Sequence, residues 1–379
     1  MSARYTVTIY TPQELNHASY VQTGLFEMES QGVLKVKVKL SVASRRGRIA
    51  VQDTGAVQYT NQLNPKVSYY ELLDHTSHKR IRFATDLYDH ADQFSEHAFL
   101  HCDYVFKRSF EQKYVDKLPQ AYQDKLFKLG LCFGVSSPYK KQQYLFFTGL
   151  MFSNLLNAIK FDRRLLIRVY NTYTTQIKHW KFVLTARDIS HFNEFIQPTH
   201  NSVFFQTRCF VHEQTQDVKS IHKQRYRIIK VLREAFPDLF LGGFVPSPVV
   251  LTNYSDAVTN VPTEPMAYLQ ALKQAKIVVY TRGLANSPAW KMAEYLSQAK
   301  IIIAERLTAE LPVPLTDGQH VLYFNTDEEL VAKIKHVLQD ADLAKHLSQN
   351  GRSYFEKYVN PERNIERIIN FMISKHTSS

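Results

Sequence analysis

Lys291 and Glu294 stand three residues apart in a stretch that opens on Ser287-Pro288, the residue types of a helix start. That spacing places both side chains on one helical face. Unpaired N–H groups and the macrodipole at such a start favour an anion, and a phosphate suits it. At about 1.5 Å rise per residue, Glu294 would lie roughly 10 Å along the axis from Ser287. A nucleotide with its diphosphate at the helix start would then offer its ribose hydroxyls to the Glu294 carboxylate. An exposed Lys/Glu pair has the same spacing, and spacing alone favours that simpler account. A second group, Asp86, Asp89, His90 and Asp92, falls within seven residues. A carboxylate or imidazole there could take a proton from an acceptor hydroxyl, although Asp86 and Asp89 also read as residues that satisfy their own turns.

Both groups need strand ends to present them. The β-branched run 277–280 leads through the turn-forming 281–286 into the helix, which is expected to end near Ala299, and Ile301-Ile302-Ile303 follows as a short buried strand. The unit is βαβ, and the loop after its first strand faces the crevice at the carboxyl ends of the strands. In the same way 81–84 and 103–106 read as strands, so the 86–92 loop starts at a strand's carboxyl end. The segment 202–209 is another strand, and it delivers Arg208 at its end; on residue type alone Arg208 could be a surface arginine.

The stretch SPAWKMAEYLSQAKIIIAE, residues 287–305, resembles the donor-binding segment of GT-B glycosyltransferases, in particular the CgeB-like and group 1 transferases of bacterial surface polysaccharide synthesis. FQTR (205–208) and CDYVFKRS (102–109) are similar to segments of the same group. The resemblance covers roughly the last half of the chain. It implies two Rossmann-like α/β domains with parallel sheets facing across a cleft: 1–195 on the acceptor side, 196–358 binding a nucleotide-sugar, and 359–379 as a helix returning to the first domain. The donor set would be Arg208, Arg282, Ser287, Lys291 and Glu294, with Glu294 on the ribose. Lys107 and Arg108 would be acceptor-side, and Asp89, Asp86 or His90 would supply the base. Many retaining relatives carry a further Glu seven residues before Glu294, where this chain has Ser287, so the stereochemistry stays open.

The activity so implied is transfer from a nucleotide-sugar, a co-substrate rather than a cofactor, to a glycan or lipid-linked glycan acceptor. A nucleotide-sugar epimerase of the same fold, or a non-catalytic sugar-binding protein, are the alternatives. No metal is expected. Asp340-Ala341-Asp342 spells a DxD, but it joins two C-terminal helices far from any strand end.

Composition agrees with a globular protein: 379 residues, 44% apolar and 22% charged. The net charge of +12 is uneven, residues 1–200 holding 26 Lys/Arg against 17 Asp/Glu. Such an excess suits an anionic membrane face or acidic polymer; the basic residues are dispersed and no nucleic-acid signature appears, so nucleic acid is not an expected partner. Three separated cysteines, Cys102, Cys132 and Cys209, argue against zinc or a disulfide framework. With no apolar leader and no span of 18 apolar residues, a cytoplasmic location is expected, with peripheral contact at the inner membrane face. Pattern reading also predicts helices over 65–75, 144–159 and 188–197, strands over 163–169 and 182–184, a capping box at 326–329, and a final helix over 361–375.

Overall fold

The computed structural model describes residues 3–377 except 11, 12, 14, 40, 42, 43, 140–151, 153, 154, 157, 158, 160, 161, 199 and 211–214. The helix expected over 144–159 lies largely outside the described residues. The chain forms two compact units, Met1–Ser190 with Ala309–Pro312 and Asn360–Ser379, and His191–Thr308 with Val313–Val359.

The first unit is mixed α/β. Strand β1 (Tyr5–Tyr10), helix Leu15–Ser30 and β2 (Leu34–Lys39) open it as a parallel pair. Gly32, at φ +75°, ends the helix where a side chain would be strained. Next come β3 (Arg46–Val51), β4 (Val57–Leu63), β5 (Val67–Asp74), β6 (Arg80–Asp86), β7 (Gln93–Ser95), β8 (Tyr104–Lys107) and β9 (Leu126–Lys128). The main sheet runs β2-β1-β5-β6-β8-β9, and β4-β3-β7 form a smaller antiparallel one. The expected helix at 65–75 is β5, antiparallel to both β1 and β6, so this sheet is not wholly parallel. Its VSYYELLD is buried on both faces, and such a run carries no period-2 signal to separate strand from helix. Tyr70, stacked 4.9 Å from Phe83, shows what fixes it: a cross-strand aromatic partner.

The segments read as strands at 163–169 and 182–184 belong almost entirely to one helix, Leu165–Thr185, and the helix expected over 188–197 is only Ser190–Asn193. Interrupted β-branched residues misled the reading where unbroken helical hydrogen bonding prevails. The final helix, Pro361–Thr377, packs on Leu15–Ser30 in this first unit. A Cβ at Gly24 would collide with the Pro361 carbonyl and Ile365, so close approach requires glycine there. Buried Asn364 donates to Tyr20 Oη and the Leu129 carbonyl, each at 3.0 Å.

The second unit is a parallel five-stranded sheet, β11-β10-β12-β13-β14, from β10 (Val203–Thr207), β11 (Phe240–Phe244), β12 (Ile277–Tyr280), β13 (Ile301–Ala304) and β14 (Leu322–Tyr323). Helices alternate with them, which is the pattern that buries both faces of a parallel sheet. Val203, Phe205, Ile277, Val279, Ile301 and Ile303 meet Ile228, Ile229 and Leu232 of helix Gln216–Ala235 in the core. Thr326 caps helix Asp327–Gln339 by accepting from the Glu329 N–H at 3.2 Å. The Glu329 carboxylate reaches back to the Asn325 N–H at 2.8 Å, one residue earlier than in a capping box. Asp340 caps Ala341–Tyr354 by accepting from the Leu343 N–H at 2.9 Å, a structural use for the first carboxylate of the DxD.

Candidate functional site

In the second unit β10 lies between β11 and β12, so the chain leaves β10 in one direction and returns beyond it in the other. This is a topological switch point, where the loops at the strand carboxyl ends part and leave a crevice. Arg208 follows β10 with its side chain exposed, its guanidinium 5.9 Å from the Phe210 ring centre. Arg282 follows β12 and donates to Asp217 at 2.6 Å, while its N–H bonds the Glu305 carboxylate at 2.9 Å.

Between these loops sits an arginine that the sequence reading missed. Arg225, buried on helix Gln216–Ala235, donates to the carbonyls of both Arg208 (2.7 Å) and Arg282 (3.1 Å). Burial, and then its neighbours Arg208 and Arg282, draw its pKa down to about 10, so it remains a cation at neutral pH. The signal was in the helix pattern. Val218, Ile221, His222, Arg225, Ile228, Ile229 and Leu232 form the buried stripe, and an arginine in such a stripe needs a reason to be there. His222 on the same stripe accepts the Phe210 N–H through Nε2 at 2.8 Å, and burial, with the nearby Arg225 cation, lowers its pKa.

The loop after β12 differs from expectation. Ser287 is not a helix N-cap: its N–H bonds the Leu284 carbonyl and its carbonyl accepts the Gly283 N–H, both at 2.9 Å. Ala285 and Asn286 take left-handed backbone (φ 50° and 58°), and the helix starts only at Lys291 and ends at Ser297. Pro288 therefore lies in the connecting loop, whose Ala289 N–H is held by Tyr280 Oη at 2.8 Å. Glu294 consequently stands in the first helical turn, not two turns in, and is 4% exposed. Lys291 donates to the Gln206 carbonyl at the end of β10 and lies 5.0 Å from the Tyr268 ring centre. The two residues do not form the exposed pair of the simpler account.

Beside Arg282 a cavity of about 580 Å³ is lined by Lys219, Ser220, Lys223, Arg227 and Glu305, among others. Lys219, Lys223 and Arg227 recur every four residues, so one helical face presents their charge. Arg227 is paired with Asp327 at 2.7 Å.

In the first unit the 86–92 loop leaves the end of β6. Asp86 and Lys107 are each 1% exposed and joined at 3.0 Å; Asp86 also accepts the Tyr88 N–H at 3.0 Å, and Lys107 donates to the Gln93 carbonyl at 2.8 Å. Asp89 binds Lys66 at 2.5 Å and the buried Arg108. Burial pushes the Asp89 carboxyl up, but Arg108 and Lys66 outweigh it and hold it at about 2. Lys107 and Arg108 thus point into the unit and clamp this loop, whereas the sequence reading had them facing an acceptor. His90 is different. Its side chain is 41% exposed, with Nδ1 3.4 Å from Asp92 and the ring beside Tyr88. Burial raises the Asp92 carboxyl, while the bond to His90 draws it down to below its ordinary range. Asp92, grouped with the loop but given no role by sequence, orients the imidazole.

Residues 225–370 match the family model described as glycosyl transferase-like. That stretch is similar to the glycosyltransferases the model describes. The match begins at Arg225 and contains Arg282, Ser287, Lys291 and Glu294, so the resemblance read from SPAWKMAEYL is borne out as a glycosyltransferase resemblance; the match does not single out the CgeB-like branch. Arg208 and the 86–92 loop lie outside it. No curated protein matches the chain. Among solved structures, the C-terminal domain of a group 1 glycosyl transferase (LpcC) from Francisella tularensis is 15% identical, with 43% of this chain and 88% of that one covered, at a TM-score of 0.29. A structure titled TarM is 10% identical over 96% and 98% of the two chains, at 0.38. WaaG, titled a glycosyltransferase of lipopolysaccharide biosynthesis, is 10% identical over 70% and 90%, at 0.31. Scores this low leave the functional argument to the family match and the side chains.

Proposed function

We propose that the protein transfers a sugar from a nucleotide-sugar to a glycan or lipid-linked glycan acceptor, in the synthesis of a bacterial surface polysaccharide or lipopolysaccharide. The observation that carries the reading is the convergence of Arg208, Arg225 and Arg282 at the switch point of the second unit, most of which is similar to the glycosyl transferase-like family. Breaking the bond from sugar to diphosphate leaves negative charge on the leaving group, and preorganised cations are the strongest available stabilisers of it. Arg208 would bind the diphosphate directly. Arg225 holds the two loops in register and adds its field, and Lys291 contributes beside β10. Glu294 would accept the ribose hydroxyls on a side-chain shift that brings its carboxylate out of cover.

Of the loop residues, His90 is the base we assign. A carboxyl held at about 2 is a weak proton acceptor at neutral pH, which disfavours Asp89, and Asp86 is enclosed in its ion pair. His90 offers Nε2 while Asp92 holds Nδ1. With cations to offset the diphosphate, no divalent metal is required. The protein would work at the cytoplasmic side of the membrane, its basic first half toward anionic lipid.

Incubation with a panel of nucleotide-sugars, with and without glycan acceptors, tests this. Acceptor-dependent release of nucleoside diphosphate that persists in EDTA is expected. Epimer exchange without acceptor, or no release with any donor, would overturn it.

A further inference from the structure

Helix Leu165–Thr185 has two apolar sides. One contacts helix Leu15–Ser30 within the first unit. On the other, Leu166, Ile167, Tyr170 and Tyr173 are 82%, 64%, 67% and 49% exposed. At 100° per residue Leu166, Tyr170 and Tyr173 fall within about 60° of one another, with Ile167 alongside. Isolated exposed apolar residues are ordinary, but four on one helical face are not. Phe152, Leu156 and Ile159 in the preceding stretch are exposed as well.

The charge around this face selects its occupant. The helix contains no Asp or Glu. Exposed Arg163 and Arg164 precede it, and exposed Lys178 and Lys181 lie toward its end; Arg168 is tied to Asp162. Apolar and tyrosine side chains bordered by cations match a surface of acyl chains below anionic headgroups, where a tyrosine ring keeps its hydroxyl wet. No described helix is long and apolar enough to cross a membrane, so the contact would lie in the interface plane.

We propose that the Leu166, Ile167, Tyr170 and Tyr173 face docks the protein on an anionic lipid surface, with Arg163, Arg164, Lys178 and Lys181 contacting headgroups. This deepens the membrane-side reading above by naming the surface, and it stands independently of sugar transfer. The test is co-sedimentation of the full chain with phosphatidylcholine vesicles containing about 30% phosphatidylglycerol, against phosphatidylcholine alone. Wild type should pellet with the anionic vesicles and be released by high salt. Leu166→Glu with Tyr170→Glu should weaken binding roughly 10-fold or more, as should Arg163→Glu with Arg164→Glu, with unchanged thermal unfolding and unchanged donor affinity. Equal binding by both double variants, or no binding to anionic vesicles, would overturn the proposal. So would a wild-type dimer in light scattering that Leu166→Glu with Tyr170→Glu dissolves while vesicle binding is unaffected, since the face would then join two copies.

Discussion

The 86–92 loop and the β10/β12 crevice both gather charged residues at strand carboxyl ends, yet they settle their charge differently. In the loop, Asp86 has Lys107 and Asp89 has Lys66 and Arg108, so counter-charge comes from within the same unit. In the crevice, the hydrogen bonds of Arg225 among the described residues go to two carbonyls, and Arg282 shares Asp217 with the Ala285 N–H. Charge matched inside the fold serves to position. Arginine charge with no carboxylate partner among the described residues is available for a ligand that brings its own.

The hardest test of that contrast is Lys107→Ala. An unpaired buried carboxylate at Asp86 should cost about 3–5 kcal/mol in denaturant unfolding, and adding Asp86→Asn should recover part of it. A change below about 1 kcal/mol would show that the pair is not structural. His90→Gln should lower turnover by about 10²–10⁴-fold while nucleoside diphosphate affinity in calorimetry stays near wild type; unchanged turnover would move the base elsewhere.

Crevice variants should show the opposite signature. Arg208→Ala and Glu294→Ala should each weaken nucleoside diphosphate by roughly 10–150-fold, from the loss of one charge-assisted hydrogen bond of about 1.5–3 kcal/mol. Arg208→Ala should leave free nucleoside binding nearly unchanged, whereas Glu294→Ala should weaken it too. Equal losses on both ligands for Arg208→Ala would place it away from the diphosphate.

A smaller effect comes from pH. The Asp89 carboxyl is depressed from 3.8 to about 2, so its contribution is fully present above about pH 4 and lost as pH falls through 2. That is about 2 kcal/mol of acid sensitivity. Asp89→Asn should flatten unfolding free energy across this window; an unaltered acid profile would mean that Asp89 is not held as described.

Strands 203–207, 277–280 and 301–304 were legible because each is a short apolar run bounded by turn residues, and the cap at Thr326 because it acts within three residues. Residues 65–75 were misread because a strand buried on both faces shares its composition with a buried helix. Ser287 failed for another reason. Its residue type is right for a cap, but two left-handed residues before it turn the chain into a closed loop first. Arg225 was visible as a break in an apolar stripe, whereas its partners were not, since the carbonyls it joins lie 17 and 57 residues away in sequence.

By itself, then, the sequence determined the alternation of strands and helices in the second unit, because periodicity, capping and residue type act over a few neighbours. Tertiary structure alone decided which charges were consumed. Lys107 and Asp86 are 21 residues apart, and only the parallel pairing of β6 with β8, which sets Asp86 opposite Lys107, brings the ammonium to the carboxylate and leaves His90 to face solvent.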